Sequence, residues 1–179
     1  MAFNMDTHKV APLSLPNYKK IKIAAGIAVL AGIAFAGGLG LAMVLTPVMA
    51  KVPSEVKQKA GFAIFVPRNL PGTFAVAENS FSIQEEAVIF RATDSAGEGM
   101  LFSEQKKPVD FNFNNFYDKQ MKDVKVVDGT SFSTVLGKSV EQDVTLISIV
   151  AEDTWVLISS RMPLSHENAK TISQSLIKG

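Results

Sequence analysis

The residues VTLISIVAEDTWVLISSR, at positions 144–161, contain two predicted β-strands and the turn between them. Apolar and β-branched side chains predominate in 144–151 and 155–161, and the acidic pair at 152–153 separates the two runs. Runs of about four to eight such residues bounded by turn residues are typical of strands. Because so short a connection joins antiparallel neighbours, the stretch predicts a β-hairpin.

The same pattern of short apolar runs and turn residues extends upstream to Phe62. The turns at 85–86, 94–99 and 128–129 are short, so neighbouring strands are expected to be antiparallel. The other predicted strands are 62–66, 74–78, 81–84, 88–92, 100–105, 124–127 and 131–136.

Two helices are predicted to interrupt the strands. Asp110 is expected to cap a helix at 111–122, and Ser165 is expected to cap a second one. An antiparallel sheet with helices on one face defines an α+β domain, here with a mainly antiparallel, curved sheet and two helices packed on it. The expected inner face of the second helix is Ala169, Ile172, Ser173, Leu176 and Ile177.

A long uncharged segment precedes this domain. Residues 23–45 carry no charged side chain, and ten of them are Ile, Val, Leu or Phe. A helix of this length reaches about 34 Å, enough to cross a hydrocarbon core of about 30 Å. We therefore predict an uncleaved signal anchor, with a transmembrane helix at 23–47. Cleavage of a secretory signal after Ala50 is the alternative, because 48–50 resembles a cleavage site.

The predicted membrane helix divides the chain. Lys19, Lys20 and Lys22 flank its N-terminal end, which predicts a cytoplasmic N-terminus in a single-pass protein of the cell membrane. The expected units are a cytoplasmic tail at 1–22, the helix at 23–47, a juxtamembrane stalk at 48–61 and an extracytoplasmic α+β domain at 62–179.

Small residues recur every four positions along the predicted membrane helix, which favours close packing against a second helix. The lipid bilayer is thus one expected partner, and a membrane protein or a second copy of this chain is another. A helix without a protein partner remains the alternative. The candidate packing residues are Ala24, Ala28, Gly32, Ala36 and Gly40.

The two ends of the predicted domain carry recognisable motifs. FVPRNLP at 65–71, followed by Phe74, has a strand, a P-x-x-L-P segment and an aromatic residue. DTWVLIS at 153–159, followed by residues 164–176, has a last strand and a closing helix. These motifs resemble a family of bacterial extracytoplasmic domains of unknown function, found behind a membrane helix or lipoprotein-type signal and sometimes attached to anti-sigma-type proteins. The resemblance implies a cell-envelope location and lends no catalytic residues.

The sequence offers little for catalysis or metal binding. It contains no cysteine, and His166 is the one histidine of the predicted domain, just after a helix cap. No catalytic residue, metal site or cofactor is predicted, and we expect a protein that is not an enzyme. A carboxylate-dependent envelope-processing enzyme is the alternative, if acidic side chains converge in a cleft with raised pKa values.

Charge and aromatic residues define the expected partners. Residues 51–179 carry 14 Lys and Arg against 16 Asp and Glu, which argues against nucleic acid. Four aromatic residues crowd one segment and cannot all face one way on a helix, so at least one should stay partly exposed, which makes them a candidate partner surface. They are Phe111, Phe113, Phe116 and Tyr117. A core helix with one half-buried phenylalanine is the alternative.

The sequence as a whole predicts a membrane-anchored extracytoplasmic module that binds a partner without catalysis. A structural subunit of a membrane or envelope assembly is a further alternative.

Overall fold

The computed structural model describes residues 50–179, which form three α-helices and ten β-strands. A short 3₁₀ turn at Glu78–Ser80 lies between the second and third strands. In chain order the elements are α1 (Ser54–Ala60), β1 (Phe65–Pro67), β2 (Ala75–Val76), β3 (Ser82–Gln84), β4 (Ala87–Thr93), β5 (Gly99–Lys106), α2 (Phe113–Gln120), β6 (Met121–Val126), β7 (Ser133–Ser139), β8 (Thr145–Ala151), β9 (Thr154–Ser160), α3 (His166–Ser175) and β10 (Leu176–Lys178).

Several predictions fall outside the described residues. These are the tail at 1–22, the transmembrane helix at 23–47 and the small-residue stripe of Ala24, Ala28, Gly32, Ala36 and Gly40. Within residues 50–179, none of the helices has both the length and the apolar character needed to cross a bilayer.

The predicted hairpin lies in the middle of an eight-stranded antiparallel sheet. The strand order is β2-β4-β5-β9-β8-β7-β6, and β3 also pairs with β4. Strands β8 and β9 are paired from Thr145 opposite Ser160 to Ala151 opposite Thr154. Glu152 takes a positive φ of 55° in the connecting turn, as a tight two-residue hairpin requires. The predicted hairpin is therefore confirmed.

One face of the sheet, here called the closed face, carries most of the hydrophobic core. Helices α1 and α3 and the small β1–β10 sheet cover it. Its central residues, all almost fully buried, are Val88, Phe90, Met100, Phe102, Ile147, Ile149, Val156 and Ile158. Ala169 and Ile172 of α3 pack on them, and a capping box between Ser165 and Asn168 begins that helix.

The opposite face, here called the open face, carries a second cluster and only helix α2. Its buried members are Phe116, Met121, Val135, Leu146, Trp155 and Leu157. The α+β class and the antiparallel sheet are confirmed, but the expectation of two helices on one face is wrong. Strand β9 explains why: successive side chains of a strand point to opposite faces, and all seven of its residues are buried, so both faces need cover.

Both predicted helices have different ends from those expected. Asp110 takes a positive φ of 62°, and Asn112 caps α2 instead, its Oδ1 accepting a hydrogen bond from the Asn115 N–H at 2.9 Å. At the other end of the domain, Leu176 and Ile177 are not helical. They leave α3 in extended conformation and pair with β1, which buries Leu176 without continuing the helix.

The segment predicted as a stalk, 48–61, is packed on the domain from Val52 onward. Val52 is 2% exposed and belongs to the core of the closed face. Helix α1 follows it, and Val56 and Ala60 pack against the same core. A β-carbon added to Gly179 would lie 2.5 Å from a methyl group of Val52, so the two ends of the described chain meet here.

Candidate functional site

The aromatic segment that the sequence singled out gathers around one tryptophan. The rings of Phe111, Phe113 and Phe116 lie with centroids 5.0, 5.5 and 5.0 Å from that of Trp155. Trp155 projects from the open face of β9 and is 2% exposed. Phe116 is buried, whereas Phe111, Phe113 and Tyr117 keep part of their surface exposed. The structure therefore brings all four predicted residues together at one edge of α2.

Ser148 fixes this cluster to the sheet from below. Its Oγ accepts a hydrogen bond from the Trp155 indole N–H at 2.9 Å and lies 3.2 Å from the Tyr117 hydroxyl, with which it also forms a hydrogen bond. Burial raises the pKa of Tyr117, and the hydrogen bond to Ser148 lowers it by less. Tyr117 is therefore a neutral side chain held in one orientation.

A groove of about 540 Å³ runs between α2 and the open face of β6, β7 and β8. One side of α2 forms its wall, and valines form most of its floor. We call it the α2 groove. Its lining consists of Lys107, Phe113, Asn114, Tyr117, Asp118, Val124, Val126, Ser133, Val135 and Val150.

Two exposed valines line this groove, and two others lie near the ends of α2. Val124 and Val126, on its floor, are 42% and 66% exposed. Val109, at 86%, stands in the loop that leads into α2. Val140, at 51%, is joined to the end of α2 by a hydrogen bond from its N–H to the Gln120 carbonyl at 3.0 Å. The large exposed apolar side chains of the described chain thus lie around one helix.

A second, smaller groove of about 350 Å³ lies farther along the open face. Ser80 organises it: its Oγ accepts from the Arg91 N–H at 3.0 Å and donates to the Ala77 carbonyl at 2.6 Å. Its lining is more polar than that of the α2 groove and consists of Ser80, Ser82, Gln84, Ile89, Arg91 and Leu101.

Glu104 lies inside the closed face and lines neither groove. Its Oε2 accepts a hydrogen bond from the Phe65 N–H at 2.9 Å, while Oε1 has no hydrogen-bond partner within residues 50–179. Burial raises the pKa of this carboxyl well above its ordinary value, and the hydrogen bond from Phe65 lowers it by less. Nearby, the Thr154 hydroxyl donates to the Ala63 carbonyl at 2.7 Å. Glu104 therefore holds the first residue of β1, and Thr154 holds the segment just before it.

The other residues considered for chemistry lie apart. His166 is exposed in the first turn of α3. In the turn after β4, Asp94 Oδ1 accepts from the Ala96 and Glu98 N–H groups, each at 2.9 Å. Across the part of the chain that the structure describes, no three His, Cys, Asp or Glu side chains are grouped so that they would hold a metal ion.

Sequence reasoning found the aromatic segment but missed the residues that make it a site. Trp155, Ser148 and Val126 come from three different strands, and only the sheet register brings them beneath or beside α2. The one available signal was the single tryptophan of the chain, because tryptophan is rare and often anchors binding surfaces.

Comparison of this chain with models of known protein families, with curated proteins and with solved structures finds no match. The resemblance of residues 62–179 to bacterial extracytoplasmic domains stays a prediction.

Proposed function

We propose that this chain is a membrane-anchored extracytoplasmic binding module and that the α2 groove is its binding site. The observation that carries the proposal is the exposure of Val124 and Val126 on the groove floor. Apolar surface of this kind, concentrated beside one helix and rimmed by polar residues, is typical of interaction sites.

The groove has the construction of a preformed site. Tyr117 forms part of its wall and is held by Ser148, and Phe113 stands against Trp155. Aromatic side chains held in this way contribute contact area at a low cost in conformational entropy. A volume of about 540 Å³ lies within the usual range for binding sites, and the apolar lining with a few polar groups is characteristic of them.

The membrane location is supported by the sequence alone. The uncharged segment at 23–45 and the lysines before it favour an anchor with the domain outside the cytoplasm. The buried position of Val52 lies only a few residues beyond the predicted end of the span at position 47. The proposed anchor would therefore hold the domain close to the bilayer.

Photo-crosslinking in the native cells tests this proposal. A photoreactive amino acid is placed in the full chain at Val126, on the groove floor, or at Glu85, an exposed turn residue next to β4. We expect Val126 to give one defined membrane-fraction adduct at constant stoichiometry and Glu85 to give none. Equal adducts at both positions, or adducts at Glu85 alone, would overturn the proposed site.

A further inference from the structure

Strand β6 forms one end of the large sheet and has an open edge. It pairs with β7 on one side, and within residues 50–179 no strand pairs with its other side. The Val127 N–H donates to the Thr134 carbonyl at 2.9 Å, toward β7. Because backbone groups of an antiparallel strand alternate in direction, the N–H and C=O of Val126 point away from β7.

This edge is protected only in its first half, by charged side chains and a register shift between Lys122 and Lys125. Natural proteins generally cover an edge strand, shorten it or twist it away, since its free backbone groups attract other strands. In β6 every residue after Met121 is exposed, from Lys122 to Val126. A register shift between Lys122 and Lys125 distorts its first half, but the half that contains Val126 pairs regularly with β7.

The edge and the α2 groove are continuous. Val126 presents its side chain to the groove floor, while its backbone groups face the open edge. An extended peptide added beside β6 would hydrogen-bond to Val126 through its main chain and place alternate side chains against Val124 and Val126.

The charges around β6 indicate the charge of the segment that it binds. Lys122 and Lys125 lie on the strand, and Lys107 lines the groove. Asp123, on the same strand, is paired with Lys138 at 3.7 Å. The groove lining contains one acidic residue, Asp118. An acidic segment is therefore the complementary ligand.

A second copy of this chain is the less favourable occupant. Pairing two β6 strands antiparallel about a twofold axis at Val126 would place each Lys125 diagonally across from Lys125 of the other copy, and like charges on adjacent strands are destabilising. We infer that the open edge of β6 and the α2 groove together bind an extended, acidic segment of a different protein by strand addition at Val126. The inference rests on the proposed function and names its partner class.

A peptide display library screened against the full chain in lipid nanodiscs tests this inference. We expect selected peptides to alternate apolar and polar residues between acidic ends. N-methylation of the selected peptide at alternate backbone positions should weaken binding at least about tenfold, because each methyl removes a main-chain donor, whereas methylation at the intervening positions should have little effect. Bound peptide should also slow hydrogen exchange of the Val126 amide.

Two substitutions distinguish the effect of a positive charge on β6 from the general effect of replacing a lysine by a glutamate. Lys125→Glu should weaken binding of the acidic peptides by about tenfold and favour binding of basic peptides. Lys57→Glu, on the distant helix α1, should leave the affinity for both kinds of peptide unchanged. Binders that need the groove but tolerate every N-methylation would overturn strand addition and leave the proposed function standing. A library without binders that depend on Val126 would overturn both.

Discussion

The two faces of the central sheet are covered to different extents, and β9 shows the difference within one strand. Val156 and Ile158 enter the closed face, where two helices and a small sheet cover them. Trp155 and Leu157 enter the open face, where α2 is the covering element and the groove beside it leaves valines exposed. The comparison indicates that one face supplies stability and the other presents a surface, so the surface can change with little effect on the fold.

The largest expected effect comes from a change in the closed face. Phe102 is fully buried, and its ring stacks on Phe90 with centroids 4.7 Å apart. Phe102→Ala should lower the free energy of unfolding by about 3 to 5 kcal/mol, because it leaves a cavity in a packed core. Thermal or urea unfolding of the full chain measures this. A loss below about 1 kcal/mol would mean that the closed face is not the main source of stability.

A smaller effect is expected at the support of the open face. Ser148→Ala removes the acceptor of the Trp155 N–H and the partner of the Tyr117 hydroxyl. We expect a loss of about 1 to 3 kcal/mol, the usual cost of leaving a buried donor unsatisfied. Tyr117→Phe is the matched control, since it removes one of these two hydrogen bonds and should cost about 1 kcal/mol. If the control cost as much as Ser148→Ala, the indole hydrogen bond would contribute nothing.

Glu104 makes the stability of the closed face depend on pH. Burial raises the pKa of its carboxyl in the folded state, so the folded protein holds a proton that the unfolded chain releases. Stability is therefore complete below the ordinary carboxyl pKa and falls as the pH rises toward the folded-state pKa. The loss grows with the difference between the folded-state and unfolded-state pKa values.

Glu104→Gln tests this dependence directly. The amide cannot ionise, and its oxygen can still accept the hydrogen bond from the Phe65 N–H. Unfolding free energies measured at several values from pH 5 to pH 9 should fall less for the variant than for the wild type. If the unfolding free energies of the two proteins changed equally with pH, ionisation of Glu104 would not destabilise the folded state.

The smallest expected effect comes from a matched pair of valines on the two faces. Val126 is 66% exposed on the open face, and Val156 is fully buried on the closed face. Val126→Ala should change the free energy of unfolding by less than about 0.5 kcal/mol, whereas Val156→Ala should lower it by roughly 2 kcal/mol. Denaturant titration of both variants checks this. Equal losses would remove the distinction between the faces.

Most of the strands were predictable because their signals are local. The exceptions are β10 and the first residues of β6, which were expected to be helical. Continuous apolar runs such as 144–151 and 155–161 favour strands whatever their neighbours, and β8 and β9 agree with these ranges to within a residue. The end of α3 was not predictable from periodicity. Leu176 and Ile177 continue the helical spacing of Ile172, yet pairing with β1 far upstream holds them extended.

The candidate site was predictable only in part for the same reason. The aromatic residues from Phe111 to Tyr117 are adjacent in sequence and were identified together. Their supports, Ser148 and Trp155, and the exposed Val126 reach the site through strand order, which a single sequence does not encode locally. The placement of α2 and α3 on opposite faces depends on the same order.

The pairing of β1 with β10 has a consequence for how this domain folds during synthesis. A ribosome delivers β1 early and β10 after every other described strand, and a hydrogen bond from the Gly179 N–H to the Ile64 carbonyl at 2.8 Å extends that late pairing. Until then, β1 has no partner strand in this sheet and Val52 lacks the residues that enclose it. Closing so long a loop is slow compared with forming hairpins. The domain is therefore complete only after β10 has been made, and until then its first strand lacks its partner.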